Sequence, residues 1–365
     1  MIQQTKRAHL ILENGMVFSG YSVGKQGTVI GETVFATGMT GYQETLTDPS
    51  YYGQIVTQTF PLVGNYGVNS WDGESVRCYL TGYIVREWCE LPSNFRCENS
   101  LAHFLEEQGV VGIYGIDTRA LTKVIRESGV MNGAITTEEH FDKEALLERI
   151  RAFKIVDAVK QVSCQSVHEF PAQGETRFHV VLFDFGYKFN IRRELQKRGC
   201  KVTVVPYDTT AEQIAKLAPD GIMLSNGPGD PAENTQVIEN LKQIMDLNIP
   251  TFGICLGHQL TALANGASTT KLLYGHRGAN QPVIDVDRDH TFVTSQNHGY
   301  AVMSETVDPS IGYVSHINAN DKSCEGVKYL HHPVFTVQFH PEACGGPQDT
   351  SYLFDEFIAL MQEGK

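Results

Sequence analysis

The rhythm of hydrophobic and polar positions changes near the middle of this chain. Up to about residue 135, short runs rich in β-branched and aromatic residues dominate: GTVIGETVFATG, QIVTQTF and YLTGYIVRE, separated by glycine and proline. Such runs predict strands, and HLILENGMVFSG adds a hairpin, because Asn14 and Gly15 both tolerate the positive φ of a tight turn. Helical spacing interrupts this pattern. In NSLAHFLEEQG, Ser100 caps, Leu101, Phe104 and Leu105 share a face, and Gly109 stops the helix. In DTRALTKVIRESG, Asp117 caps, Leu121, Val124 and Ile125 align, and Gly129 ends it. A third helix is expected from about Thr137 to Phe153.

From Phe178 the pattern alternates: VVLFDF, then a helix around NIRRELQKRG; KVTVVPY, then TAEQIAKLA; GIMLSN, then NTQVIENLKQIMDL; TFGIC, then LGHQLTALANGA. Val237, Leu241, Ile244 and Met245 form a helical stripe, whereas the four strands are short and apolar on both faces. This predicts an α/β domain with an open, mostly parallel sheet and helices on both faces. The polar stretch SCQSVHEFPAQGET marks the boundary. The expected organisation is a mainly β domain with a few helices over residues 1–163, a linker over 164–177 and the α/β domain over 178–365. In open sheets of this kind, sites form beyond the carboxyl ends of the strands. SNGPGD after the third strand and Cys255 after the fourth therefore belong to one rim.

Composition narrows the options. A net charge of -13 and a pI near 5.4 oppose the electrostatic attraction on which non-specific nucleic-acid binding depends. No stretch approaches the roughly 18 apolar residues of a membrane span, and the start is too short in apolar residues for a signal-peptide core; a cytoplasmic protein is expected. Eight cysteines are scattered without a C-x-x-C pair, against a disulfide framework or a zinc knuckle. Reduced thiols, buried or semi-exposed, account for about seven.

Cys255 asks for more. It lies between an apolar strand and a helix, with Gly253 two before it and Gly257 two after, the pattern of a nucleophile elbow with sulfur in place of oxygen. A helix N-terminus favours the thiolate, and the next N–H, that of Leu256, points where an oxyanion would develop. The competing reading is an inert core cysteine with glycines chosen for packing. A thiolate nucleophile needs a base, and among thirteen histidines only His340 directly follows a strong strand pattern and precedes a carboxylate at i+2, Glu342. Pro341 holds His340 extended, so His340 and Glu342 face the same way; a surface turn is the alternative. His258 reads as structural and Gln259 as a substrate contact. The loop Ser225 to Pro231 lacks the lysine of a phosphate loop, so it is either a plain turn or an anion-binding turn on the same rim. His331 and His332 lack zinc-motif spacing, and no metal site is expected.

Together, SNGPGDP, GICLGHQL and FHPE resemble the motif set of class I glutamine amidotransferases. The resemblance implies a triad of Cys255, His340 and Glu342, and contacts to L-glutamine from Gly227, Gly229, Leu256 and Gln259 and from Asn297, Gly299 and Tyr300 within SQNHGYAV. MTGYQETLTDPSYYGQIVTQTFPLVGNYG and GIDTRALTKVIRESGVMNGAI resemble the amino-terminal domain found on carbamoyl phosphate synthetase small chains, which implies that Ser50 also reaches the glutamine. Two departures are Tyr300, where some relatives carry phenylalanine, and Cys344-Gly345-Gly346, where serine and proline are common.

A glutaminase serving synthesis must pass ammonia onward, and this chain shows neither an ATP phosphate loop nor a Mg²⁺ carboxylate cluster. The resemblance implies a large synthetase chain as partner, holding ATP and Mg²⁺, using bicarbonate and making carbamoyl phosphate for arginine and pyrimidine synthesis. Heterodimers, higher-order assemblies of them, and an interface formed largely by the amino-terminal domain are the corresponding expectations. The rival readings are the glutaminase of another biosynthesis, a γ-glutamyl hydrolase, and a regulatory pseudo-glutaminase.

Overall fold

The computed structural model describes residues 6–363. The chain divides into two compact units, Met1–Val156 and Asp157–Lys365. The division falls ahead of the expected boundary at 163, and the expected linker is not a free tether. A short helix and an edge strand form within residues 157–170, and the strand pairs antiparallel with the α/β sheet. The polar composition that suggested a linker belongs to a sheet edge, where one side of the strand faces solvent.

In the first unit the elements run β1 (Arg7–Leu12), β2 (Val17–Gly24), β3 (Thr28–Ala36), α1 (Tyr42–Thr47), β4 (Gln54–Gln58), β5 (Leu62–Val63), β6 (Gly82–Ile84), β7 (Glu87–Trp88), α2 (Leu101–Glu107), β8 (Val111–Tyr114), α3 (Thr118–Ser128), β9 (Met131–Thr136) and α4 (Lys143–Ala152). Seven strands close into a barrel in the order β1-β2-β8-β6-β4-β3-β9, and β5 and β7 pair separately. Gly15, at φ 86°, turns the β1–β2 hairpin as expected. The alternation of each strand splits its apolar residues between two cores. Val34, Val56 and Tyr83 pack with Leu46, Leu101 and Leu105 of α1 and α2, whereas Ile11 and Ala134 pack with Leu146, Leu147 and Ile150 of α4. Ser100 and Asp117 cap α2 and α3 through the N–H groups of His103 and Ala120. α4 starts later than its pattern suggested, because Asp142 accepts from Glu144 and Ala145 N–H and fixes the first turn there.

The second unit continues with α5 (Ala158–Val162), β10 (His168–Phe170), β11 (Phe178–Asp184), α6 (Phe189–Lys197), β12 (Cys200–Pro206), α7 (Ala211–Leu217), β13 (Gly221–Leu224), α8 (Thr235–Met245), β14 (Thr251–Ile254), α9 (Leu256–Ala264), β15 (Thr269–Asp285), β16 (His290–Val302), β17 (Gly312–Asn318), β18 (Cys324–Tyr329), β19 (Val334–Val337) and α10 (Tyr352–Glu363). Its ten strands follow the order β10-β12-β11-β13-β14-β19-β18-β17-β15-β16. The block β12-β11-β13-β14-β19 is parallel, as the alternating pattern predicts. Val180, Leu182, Val202 and Val204 face α6 and α10 on one side, while Val181, Phe183 and Val205 face α7, α8 and α9 on the other.

Beyond β19 the sheet continues as antiparallel strands, a wing that the alternating pattern did not reveal. Its long hairpin β15–β16 carries glycines and charges, and register shifts between Lys271 and His276 and between Gly278 and Gln281 break the two-residue alternation that would betray a strand. All eight cysteines are free thiols. No described helix is long and apolar enough to cross a membrane.

Candidate active site

The parallel strands β11, β13, β14 and β19 lie side by side, and their carboxyl ends supply four loops to one rim. β11 is followed in sequence by β12 on one side and later by β13 on the other, so the rim opens where the winding reverses, the position at which open α/β sheets bind ligands.

Cys255 is the residue between β14 and α9, with φ 53° and ψ -102°. A β-substituted residue in this region is strained, and the neighbours show how the fold sustains it. A β-carbon on Gly257 would run into the Leu224 carbonyl, and one on Gly253 would meet Thr336 Cγ2 at 2.9 Å. Only glycines let α9 start this close to β13 and β19. The Cys255 N–H donates to Val337 O at 2.8 Å, and Gly257 N–H to Ser225 O at 3.0 Å. The elbow is therefore pinned between both neighbouring strands, and its side chain projects from the rim while remaining buried. Leu256 opens α9, so its N–H has no acceptor one turn back within the helix.

His340 and Glu342 follow β19 directly. His340 Nδ1 and Glu342 Oε1 are 2.8 Å apart. A carboxylate accepts, so Nδ1 carries the proton and Nε2 presents its lone pair; Nε2 is buried and has no hydrogen-bond partner. Glu342 in turn lies 2.7 Å from Lys188 Nζ, its main-chain oxygen accepts from Asn190 Nδ2 at 2.9 Å, and its side chain is fully buried. Burial alone would raise this carboxyl. The charge of Lys188 and the hydrogen bonds that His340 and Lys188 donate outweigh it and hold the group at about 2.

Strand β16 ties the two halves of the site together. The Cys255 thiol donates to Asn297 O at 3.7 Å, and His340 N–H donates to Ser295 O at 2.9 Å. These acceptors are two residues apart on one strand, a span of about 7 Å, so the Cys255 thiol and the His340 backbone lean on the same short stretch. Gln259 reaches this stretch as well. Its amide nitrogen donates to Tyr300 O at 2.7 Å and to Gln338 Oε1 at 2.9 Å, so its amide braces β16 against the residue after β19. Gly299 lies where a β-carbon would press on Arg277 Nη2 at 3.2 Å.

The loop after β13 is built around glycine. A β-carbon on Gly227 would collide with the Phe185 carbonyl and stand 2.7 Å from Leu256 Cδ2, and Gly229 has φ +90°. Asn226 is fully buried; its oxygen accepts from Lys188 N–H at 3.1 Å and its nitrogen donates to Gly186 O at 2.9 Å. The loop after β11 is likewise ordered, by Asp184, whose carboxylate accepts from the N–H groups of Cys164, Gly186 and Tyr187. Lys188 thus links three rim loops, through its backbone to Asn226 and its side chain to Glu342. Sequence reasoning missed Lys188, Asn190 and Asn226. The available signal was the first strand's turn, Phe185-Gly186-Tyr187-Lys188, which ends on the same rim as the two loops already singled out.

The remaining candidates separate. His258 is fully buried, bonds Thr336 Oγ1 at 2.8 Å through Nδ1 and is pushed down to about 3 by burial and by the charge of His316; a neutral structural role fits it. Ser50 belongs to the first unit, in a single 3₁₀ turn over Pro49–Tyr51 where its N–H donates to Asp48 at 2.9 Å. Cys344 is exposed, and Gly346 lies close against Ser295 and Ala279, so the departure after H-P-E packs onto the same hairpin.

Comparison with known proteins agrees with this division. The family model for glutamine amidotransferase class-I matches residues 181–360, and that for the carbamoyl-phosphate synthase small chain, CPSase domain, matches residues 10–135. The carbamoyl phosphate synthase small chain of Listeria monocytogenes serotype 4b (strain F2365) is 52% identical over 358 residues, 98% of this chain and 97% of that one. The protein of the same description from Bacillus anthracis is 50% identical over 359 residues, covering 98% and 97%. Among solved structures, a putative GMP synthase chain from Thermoplasma acidophilum is similar with a TM-score of 0.44 and 22% identity, over 51% of this chain and 94% of that one.

Proposed function

This chain belongs to the family of carbamoyl phosphate synthase small chains, and from that premise we propose that it hydrolyses L-glutamine through a cysteinyl thioester and hands the ammonia to a large synthetase chain. The observation that carries this reading is that a strained cysteine elbow and a buried imidazole, whose orientation Glu342 and Lys188 fix, bond to the same short stretch of β16.

In the proposed reaction His340 Nε2 takes the Cys255 proton, and the sulfur attacks the glutamine carboxamide. An S–C bond forms, and the tetrahedral oxyanion faces the Leu256 N–H and a donor from residues 227–229, each worth on the order of 3 kcal/mol by the usual scale of such donors. His340 returns the proton to the departing nitrogen, the C–N bond breaks and ammonia leaves. His340 then takes a proton from water, which attacks the thioester; the S–C bond breaks, glutamate leaves and the thiol is restored. Glu342 keeps the imidazole in the tautomer that both steps need. Gly227, Gly229, Leu256, Gln259, Asn297, Gly299 and Tyr300 are the proposed glutamine contacts.

Ammonia released into water is protonated and no longer nucleophilic, so the product has to reach its acceptor without passing through solvent. The acceptor site belongs, in this proposal, to a cytoplasmic large chain that holds ATP and Mg²⁺ and makes carbamoyl phosphate from bicarbonate, feeding arginine or pyrimidine synthesis. The two chains form a heterodimer that can assemble further. The test is Cys255→Ser in the reconstituted complex: glutamine-dependent carbamoyl phosphate synthesis is lost while synthesis from added ammonium is kept. Loss of both activities would instead make Cys255 a structural residue.

A further inference from the structure

The wing strands hold a second group of chemically capable side chains, separate from the triad. His276 on β15 pairs directly with His298 on β16, and their rings meet edge to face with centroids 5.0 Å apart. Glu325 of β18 joins them, and the ligand atoms of the three lie within 4.8 Å of one another.

The protons of this group point outward. His298 Nδ1 is 2.8 Å from Tyr300 O, and a carbonyl only accepts, so Nδ1 carries hydrogen and Nε2 a lone pair. His276 Nε2 is 2.9 Å from an Asp321 carboxylate oxygen, which leaves its lone pair on Nδ1; that atom is buried, has no hydrogen-bond partner and faces Glu325 Oε1 at 3.7 Å. Glu325 is fully buried, with Oε1 accepting from Asn318 at 2.9 Å and Oε2 without a partner. Gln296 donates through its side-chain nitrogen to Thr294 Oγ1 at 3.2 Å and turns its amide oxygen toward His298 Nε2 at 2.9 Å. Two imidazole lone pairs, a carboxylate and an amide oxygen thus converge with few hydrogens among them. Burial of so many acceptors is unfavourable unless a cation satisfies them.

An imidazole that donates one N–H to a carboxylate or carbonyl and presents the other nitrogen inward is how proteins orient histidine for a metal. We propose that His276 Nδ1, His298 Nε2 and Glu325 bind a divalent transition metal of the Zn²⁺ class, with water or the Gln296 oxygen in the fourth position. Two nitrogens and one carboxylate form a three-ligand zinc set, and their hardness disfavours Cu⁺. Because His298 lies between Asn297 and Gly299, the ion would stiffen the strand that faces the nucleophile.

The experiment uses the full chain, with Cys255→Ala as background because the nucleophile could itself capture zinc. Protein dialysed against Zn²⁺ buffered by a chelator is measured for metal content, and Co²⁺-substituted protein for its visible absorption. One ion per chain is expected in both the native and the Cys255→Ala protein, with tetrahedral Co²⁺ bands. Glu325→Gln and His276→Gln should abolish retention, and Asp321→Asn should weaken it about 10- to 100-fold, the usual cost of removing an orienting partner. Circular dichroism checks folding, and the Co²⁺ spectrum of the Cys255→Ala chain stands as evidence if a ligand variant does not fold. The proposal is overturned if Cys255→Ala protein retains no stoichiometric metal, so that protons alone balance the cluster, or if retention survives both Glu325→Gln and His276→Gln, which places the metal at other residues.

Discussion

Replacing Lys188 by methionine removes the cation that holds Glu342 ionised. The carboxyl is kept at about 2 against an ordinary value of 4.5, a difference worth about 3 kcal/mol of stability at neutral pH. Coulomb's law gives a similar size: unit charges about 4 Å apart at an effective dielectric near 20 attract by about 4 kcal/mol, and breaking one side of a buried pair costs about 3–5 kcal/mol. Lys188 is itself only 10% exposed in its side chain, so little screening by water is expected. Because the folded carboxyl is depressed, its contribution is complete above about pH 4.5 and is lost as pH falls towards 2. In Lys188→Met the burial that raises the carboxyl is no longer offset by the lysine, so the variant takes up a proton at higher pH than the native chain. The stability gap should be widest at pH 7 and narrow on acidification. Urea denaturation should be followed by far-ultraviolet circular dichroism, since both tryptophans, Trp71 and Trp88, lie in the first unit. With a slope of about 2–3 kcal/mol per molar urea, the second unit's midpoint should drop by about 1–1.5 M. A loss below about 1 kcal/mol that does not change between pH 7 and pH 5 would refute the claim that this ion pair orients the site from a buried position.

Other outcomes follow from the same geometry. Gly227→Ala should lower glutamine hydrolysis by about 10²–10³, the usual effect of displacing one oxyanion donor, because its β-carbon would collide with the Phe185 carbonyl; unchanged turnover would remove the loop from the chemistry. His258 is held neutral down to about pH 3 while the unfolded chain takes up its proton near 6.5, so stability falls with acidification by about 1.4 kcal/mol per pH unit between those values for this residue. His258→Gln should remove that increment from the acid limb of a stability–pH curve, and an unaltered slope would show that the group titrates freely.

The parts of the site that were legible in the sequence are those whose chemistry and constraint lie within a few residues. Gly253, Cys255 and Gly257 encode a turn that only glycines permit, and His340, Pro341 and Glu342 encode an extended i, i+2 pair, so strain and side-chain direction could be read locally. The four strands from β11 to β14 were legible because burial on both faces leaves continuous apolar runs. Lys188 was not, because its role exists only after β11 and β19 come together and bring Glu342 to it across more than 150 residues. The wing was hidden because bulges break its alternation, and with it went the pairing of His276 with His298. The first boundary was misplaced because an exposed edge strand and a linker share the same polar composition.

The central claim is that the Cys255 sulfur becomes covalently bonded to substrate during turnover. The direct measurement is to mix the full complex with glutamine, quench in acid within the first turnovers, digest, and weigh the peptide that contains GICLGHQL. The account predicts a γ-glutamyl increment on Cys255 that decays as glutamate forms. Steady formation of glutamate with Cys255 never modified, or with the label on another residue, would contradict it.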